Sequence, residues 1–211
     1  GDRKTAREFA LKNITTFNHL HLDAIITNAA GCGAQLQEYH HLFIESDEQT
    51  QKEISSAVGW KNFEIKVTDI LEFLSAYTDL LANLPWSKDE DTVLYDAPCH
   101  LMHAQKVDEN PRRVLNSLPG VKLVVLKESN WCCGSAGIYN LVQPELSAAV
   151  LNRKTESIRQ TLAENPKAST IVTANPGCLY QIRAGLRSNN LDLRILHPVV
   201  YLAERLMLNR R

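Results

Sequence analysis

The sequence IVTANPGCLYQI (171–182) begins as a short apolar run, passes through a Gly-Cys pair and continues as a helical pattern. A second stretch, IITNAAGCGAQL (25–36), matches it without a gap at a constant offset of 146 residues, the separation of Cys32 and Cys178. Each copy predicts a strand, a Gly-Cys loop and a helix. The sequence therefore predicts two related units. Identical positions include Thr27/Thr173, Gly31/Gly177, Cys32/Cys178 and Gln35/Gln181.

Predicted strands and helices alternate on both sides of one linker, LPWSKDED (84–91), in which a proline is followed by charged residues. Alternation of this kind is typical of parallel sheets with helices packed on them. We therefore predict an α/β fold of two pseudo-repeated parallel-sheet lobes with flanking helices. The C-terminal part of a first repeat would occupy residues 1–86 and the second repeat residues 87–211. The predicted strands are 24–26, 62–67, 92–97, 121–128, 169–178 and 193–198, and the predicted helices are 3–20, 34–43, 46–58, 68–84, 105–118, 144–165, 179–190 and 199–208.

The two predicted repeats differ in extent. Cys99, Cys132 and Cys133 lie in the second unit, and shifting them back by 146 positions gives places before residue 1. We therefore expect the chain to start inside the first repeat and to be the C-terminal piece of a longer protein.

Composition and charge exclude several classes of protein. The 211 residues include 23 Lys and Arg against 24 Asp and Glu, a net charge of −1, which does not favour a nucleic-acid partner. No apolar run approaches the roughly 20 residues of a membrane span. The N-terminus has no apolar core of a secretion signal. This predicts a reducing cytoplasm, where cysteines serve more often as ligands or catalysts than as disulfides.

The cysteines follow the predicted strands. Cys99, Cys178 and the Cys132-Cys133 pair each come where a strand gives way to a loop, and Cys32 has the equivalent place in the other repeat. Because the carboxyl ends of parallel strands share one edge of a sheet, Cys99, Cys132, Cys133 and Cys178 are predicted to converge. Packing alone is the alternative, since free cysteine is among the most buried residue types. A tandem pair in the Gly/Ser-rich NWCCGSAG (130–137) does not fit that alternative.

The chemistry of the predicted site has three interpretations. Four soft thiolates suit an iron–sulfur cluster or Zn²⁺. The absence of a Cys-x-x-Cys hook argues against a zinc ribbon or finger. A thiol–disulfide oxidoreductase using Cys132 and Cys133 is a third possibility, although adjacent cysteines form strained bonds. Nearby residues with possible second roles, as ligands, hydrogen-bond donors or a shield, are His100, His103, His197, the pair His40-His41 and Trp131.

Three longer motifs resemble one family. YDAPCHLMHAQKV (95–107), ESNWCCGSAGIYNLVQPELS (128–147) and VTANPGCLYQI (172–182) resemble the cysteine-rich CCG domain found in heterodisulfide reductases, lactate-utilisation iron–sulfur proteins and glycolate oxidase iron–sulfur subunits. The likeness is greatest to the last group and covers essentially the whole chain.

The resemblance implies a cytoplasmic electron-transfer subunit without substrate chemistry of its own, peripheral to the membrane through its complex. It implies flavin-containing 2-hydroxy acid oxidase subunits as partners, quinone as the acceptor, and a ferredoxin-like part of the same polypeptide that is not in this sequence. The family motif ends in Cys-x-x-Cys, whereas Cys178 is followed by Leu-Tyr-Gln. The resemblance therefore implies a [4Fe–4S] cluster on Cys99, Cys132, Cys133 and Cys178. Cys32 would add a fifth thiol only if the two repeats face each other.

Overall fold

A computed structural model describes residues 1–43 and 63–207. In the N-terminal part a two-stranded parallel sheet pairs Ile25 with Val67 and Thr27 with Asp69. Helices surround this small sheet, and a separate core forms beneath it from residues such as Ile14, Tyr39 and Phe63. The elements are α1 (Arg3–Asn18), β1 (Ile25–Thr27), α2 (Ala30–Gln37), a 3₁₀ turn (Tyr39–Leu42), β2 (Val67–Asp69), α3 (Ile70–Ser75) and α4 (Thr78–Ala82).

The C-terminal part is built on a four-stranded parallel sheet in the order β4-β3-β5-β6. Its helices connect successive strands, as the alternation in the sequence predicts. The elements are β3 (Asp91–Asp96), a π-helix (His100–Ala104), α5 (Glu109–Asn116), β4 (Val121–Val125), α6 (Tyr139–Val142), α7 (Pro144–Glu164), β5 (Thr170–Thr173), α8 (Pro176–Ser188), β6 (Arg194–Leu196) and α9 (Pro198–Arg205).

Both faces of the larger sheet are covered. Strand side chains alternate between faces, so Val93 and Tyr95 pack into one core with α5 and α9, whereas Leu94 packs into a second core. The second core also contains Ile158 of α7 and Ile182 of α8. All five of these side chains are fully buried, in keeping with the apolar middle of the central strands. The predicted α/β architecture of parallel sheets with flanking helices is confirmed.

The repeat identified in the sequence has a matching local structure in its two copies. β1 and β5 are each followed by a helix whose N-cap residue, Ala29 or Asn175, has extended backbone angles (φ −135°, ψ 103° and φ −142°, ψ 120°). Cys32 and Cys178 are each the third residue of that helix. The predicted Gly-Cys loop is wrong in both copies, because the helix begins two residues before each cysteine.

Other predicted boundaries also shift. The strand predicted over 62–67 is Val67–Asp69, and the helix predicted over 68–84 starts at Ile70 and is interrupted after Ser75. The helix predicted over 105–118 is confined to Glu109–Asn116. The helix predicted over 46–58 lies outside the described residues.

Contacts cross the predicted boundary at residue 86. Ala30, Leu71 and Trp86 belong to the same buried cluster as Val93 and Tyr95 of the larger sheet. The first part of the chain is thus packed directly onto the second. Over the described ranges, no helix combines the length and the apolarity that crossing a membrane requires.

Asp69 gives a test of burial at the start of α3, because it is fully buried and caps that helix by accepting from the Leu71 N–H at 2.8 Å. Desolvation raises the pKa of Asp69 from 3.8 to about 6. A carboxyl group whose pKa is higher in the folded than in the unfolded state lowers the free energy of unfolding once it ionises. The contribution of Asp69 to this free energy therefore falls as the pH rises from 4 to 6. Asp69→Asn keeps the capping oxygen. Its free energy of unfolding should rise by about 3 kcal/mol relative to that of the wild type across this pH interval. Urea unfolding of both proteins at pH 4 and pH 7 measures this, and equal pH dependence would contradict it.

Candidate metal centre

The order of the strands creates a crevice at one edge of the larger sheet. β3 is the first strand of this sheet along the chain, β4 is added on one side of it, and β5 and β6 on the other. The connections after β3 and β5 therefore leave in opposite directions, which is the switch point where ligands bind in open α/β sheets. Cys99 follows β3 and Cys178 follows β5, so two of the predicted residues flank this crevice.

A cavity of about 360 Å³ occupies the crevice, and all five cysteines line it. Every one of them is a free thiol. Cys133 and Cys178 are buried, whereas Cys32 is exposed at the mouth. The predicted convergence of Cys99, Cys132, Cys133 and Cys178, spread over 80 residues of chain, therefore matches the structure, and Cys32 lines the same cavity. The other lining residues are Ala29, Gly31, His100, Ser135, Ala136, Gly137, Asn175, Pro176 and Gly177.

Each thiol is held by local structure. Cys99 is the N-cap of the π-helix, and Cys132 and Cys133 lie in the loop between β4 and α6. The Gly134 N–H donates to the Cys132 Sγ at 3.3 Å. Cys178, in the first turn of α8, accepts from the Asn175 side-chain amide at 3.3 Å. The Sγ atoms of Cys133 and Cys178 are 3.1 Å apart. Donors directed at sulfur are what a thiolate site requires.

The thiols share one favoured position for negative charge. Hydrogen bonds from Cys133 and Cys99, with a further one from the Gly134 N–H, lower the pKa of Cys132 to about 2. The same hydrogen bonds to Cys132 raise the pKa of Cys99 and of Cys133, and burial adds to both effects. These hydrogen bonds favour negative charge on Cys132 over Cys99 and Cys133.

The donor set fits a thiolate-bound cluster. Four cysteines face one cavity, two of them buried, and donors from the backbone and from Asn175 point at sulfur. Among residues 1–43 and 63–207, no three or more His, Cys, Asp or Glu side chains have the spacing of a single-ion site. The Cys133 and Cys178 sulfurs, 3.1 Å apart, are closer together than two sulfurs bound to one metal at about 2.3 Å. The thiols would have to separate around a bound group.

Cys32 reaches the cavity because the start of α2 packs against the C-terminal part of the chain at this point. The Ala30 N–H donates to the Ala174 carbonyl at 3.2 Å, and the Gln105 side-chain amide donates to the Ala30 carbonyl at 2.8 Å. The first turn of α2 is thereby fixed beside the loop after β5. The condition that sequence analysis set for a fifth thiol, two repeats that face each other, is met.

Of the histidines and Trp131 considered from the sequence, only His100 lines the thiol cavity. His100 lines the cavity, with its Nδ1 3.6 Å from the Cys99 Sγ. His103 lies near the Asn130 carbonyl at 3.4 Å, and the His197 Nδ1 accepts from the Val199 N–H and so caps α9. The Trp131 ring is half exposed outside the thiol cavity, with the Arg153 guanidinium carbon 3.2 Å from its centroid. The pair His40-His41 is ordered by Glu64, which accepts from the His40 N–H at 2.8 Å.

Sequence analysis missed a buried ion pair beneath the thiols. The Lys154 Nζ lies 2.9 Å from the Asp96 Oδ1, with both side chains at most 2% exposed. Asp96 ends β3, three residues before Cys99, and an acidic residue closing an otherwise apolar strand was the available clue. Lys154 offered no such clue in the sequence, because it lies in the amphipathic pattern of α7 and resembles a surface lysine.

Comparison with known proteins agrees with this geometry. The cysteine-rich domain family CCG matches residues 1–37 and 93–183. A probable glycolate oxidase iron-sulfur subunit of Bacillus subtilis is 35% identical over 98% of this chain and 43% of its own length. A fumarate reductase (CoM/CoB) subunit of Methanothermobacter marburgensis is 30% identical over 83% of the chain and 31% of its own length. Lactate utilization protein A of an Exiguobacterium species is 25% identical over 97% of the chain and 78% of its own length.

The chain spans less than half the length of the first two of these relatives. The family match, however, includes all five cysteines, with Cys32 in its first segment and the other four in its second. The matched residues thus carry the strand ends and the thiols that form the cavity. On this match, the chain belongs to the CCG cysteine-rich domain family.

Proposed function

We propose that the chain holds an iron–sulfur cluster on Cys99, Cys132, Cys133 and Cys178 and serves in electron transfer, with no substrate chemistry of its own. The observation that carries the proposal is the gathering of these thiols on one cavity at the switch point of the sheet. Two relatives whose names describe iron-sulfur proteins support it. Soft thiolate ligands of this number are those that such clusters use.

We further propose that the cluster is of the [4Fe–4S] type. Four thiolates complete the ligand set of such a cluster, one for each iron. Zinc is the alternative, in a module that only docks partners, but none of the three relatives compared with the chain has a name that mentions zinc. Cys32 lines the same cavity and is proposed as a fifth thiol near the bound group.

The protein's own residues would bind, order and shield the group. The cluster supplies the ability to take up and release one electron at a time. Gly134 and Asn175 direct N–H donors at sulfur, which stabilises negative charge there. The buried side of the site is closed by Cys133 and Cys178, which belong to the core formed with Leu94 and Ile182. Water is thus excluded from that side, while the Cys32 side stays open for exchange with a partner.

The partner is proposed to be a flavin-containing 2-hydroxy acid oxidase subunit. Oxidation of a 2-hydroxy acid to the 2-oxo acid releases two electrons and two protons, and the flavin takes up both electrons. They would then leave singly through this chain toward quinone. The name of the Bacillus subtilis relative supports a complex of several subunits. We place the chain in the cytoplasm, peripheral on the inner face of the membrane, with a ferredoxin-like part of the same polypeptide.

The division into repeats is part of the proposal. Residues 1–86 would be the C-terminal part of a first CCG repeat and residues 87–211 the second. Each range holds its own parallel sheet, and Cys32 and Cys178 have equivalent places after β1 and β5, which supports the division.

Metal and sulfide analysis of anaerobically purified protein tests the proposed function. A [4Fe–4S] protein should contain about four iron and four acid-labile sulfide per chain and absorb broadly near 400 nm. A colourless protein with one zinc and no sulfide would overturn the proposal in favour of the docking module. Colourless protein without either metal, even after anaerobic reconstitution with iron and sulfide, would overturn both.

A further inference from the structure

The buried pair Lys154–Asp96 is fully satisfied by its surroundings. Besides Asp96 Oδ1, the Lys154 ammonium donates to the carbonyls of Glu128 and Ser129, each at 3.1 Å. The second Asp96 oxygen accepts from the Thr173 hydroxyl at 3.0 Å. Five polar groups therefore meet at one point where the sheet edge, α7 and the cysteine loop come together.

This network connects the segments that carry the thiols. Asp96 precedes Cys99 by three residues, and Thr173 ends the strand before Cys178. Ser129 lies three residues before Cys132 on the loop after β4. Lys154, from the middle of α7, thus holds the ends of β3 and of the loop after β4, and Asp96 connects both to the end of β5 through Thr173. Only two residues separate the anchor from the thiol at Cys99 and at Cys132, so a shift of the anchor moves the thiol.

The pair also acts electrostatically on the thiols. Lys154 and Cys132 line one small cavity beside the thiol site, and Asp96 is paired with Lys154 where both side chains are at most 2% exposed. Lys154 and Asp96 therefore contribute electrostatic potentials of opposite sign at the thiol cavity. Interactions between buried charges are screened much less than those at the surface.

A stabilising role alone does not account for such a pair. A buried ion pair is weak evidence for stability, because removing two charges from water costs about as much as their attraction returns. Two apolar side chains could fill the same space. The Lys154–Asp96 pair, however, is bonded to three different cysteine-bearing segments. It therefore fixes the orientation of these segments and the electric field beside the thiols.

We propose that Lys154 and Asp96 are positioning residues that fix the cysteine-bearing strand ends and set the reduction potential of the group held there. The inference rests on the proposed function. Reduction adds one electron, and hence one negative charge, with no bond made or broken in this network. An unpaired Lys154 would favour the reduced form, and an unpaired Asp96 would disfavour it.

The test uses the full-length protein with four variants. Asp96→Asn leaves Lys154 without a counter-charge, Lys154→Met leaves Asp96 without one, and the double variant removes both charges. Lys167→Met is the matched control, because Lys167 is exposed and lies before β5, at the opposite edge of the sheet. Iron content and the reduction potential are measured by redox titration followed by electron paramagnetic resonance, and the folding of the apo-proteins by urea unfolding.

Asp96→Asn should raise the potential, changing the equilibrium for reduction about tenfold. Lys154→Met should lower it or lose iron while the apo-protein still folds, and the double variant should lie between the two. Lys167→Met should behave as the wild type. A wild-type potential in Asp96→Asn, or shifts of the same sign in both single variants, would overturn the inference. If Lys154→Met does not fold, the sign of the Asp96→Asn shift decides. Wild-type protein without iron would instead refute the proposed function itself.

Discussion

Replacing Cys133 by serine is expected to remove the cluster and to stop electron flow through this subunit. The serine hydroxyl is a hard and largely protonated ligand, whereas iron–sulfur clusters require thiolate. Residues that merely contact metal ligands already change metal affinity by about 10- to 100-fold when mutated, so losing a buried ligand should cost more than about 100-fold. In the proposed complex with a flavin-containing subunit, substrate should still reduce the flavin in a single turnover. Turnover coupled to quinone and the cluster signal should both be lost.

Cys32→Ser is the matched control for that experiment. Cys32 lines the same cavity but is exposed, whereas Cys133 is buried and its sulfur contacts that of Cys178. The Cys32 variant should keep its iron and most of its coupled turnover if the four other thiols complete the ligand set. Equal loss in both variants would make Cys32 an essential ligand. Intact coupled turnover in Cys133→Ser would rule out the proposed cluster at this pair.

The sequence was sufficient to predict where the thiols meet, and the reason is topological. Apolar runs such as the one ending at Asp96 are recognisable as buried strands, and parallel strands must end at a common edge. A cysteine just after such a strand can therefore be assigned to that edge without knowing any contact. The internal repeat added the same assignment for Cys32.

The sequence was insufficient for features that depend on three-dimensional partners. The helix starts before Cys32 and Cys178 were missed, because glycine and proline in the sequence suggested a loop, whereas proline is well tolerated in the first turn. The interruption after Ser75 was missed because its apolar pattern continues to Leu81. The role of Lys154 needed knowledge of what faces α7, which no periodicity provides.

Gly134 is expected to be as necessary to the site as a ligand, although it carries no side chain. Its φ of +90° is a conformation that L-residues with a side chain rarely adopt. A Cβ at this position would lie 2.6 Å from the Ser147 backbone oxygen, which belongs to the first turn of α7. The Gly134 carbonyl also accepts from the Ser147 hydroxyl at 2.9 Å. The loop is therefore pressed against α7 at the residue that follows the cysteine pair.

Gly134→Ala should thus destabilise the protein by about 2–5 kcal/mol, as the sum of left-handed strain and overpacking. Relief of that clash would move Cys132 and Cys133, so bound iron should be lost although all five thiols remain. Gly137→Ala is the control, because Gly137 has a similar φ of +63° but a Cβ there meets nothing within 4 Å. Gly137→Ala should lower the free energy of unfolding only by the backbone strain, about 1–2 kcal/mol, and the variant should keep its iron. Urea unfolding and iron analysis of both variants separate the two effects. Equal iron in Gly134→Ala and Gly137→Ala would show that the close approach to α7 does not set the position of the thiols.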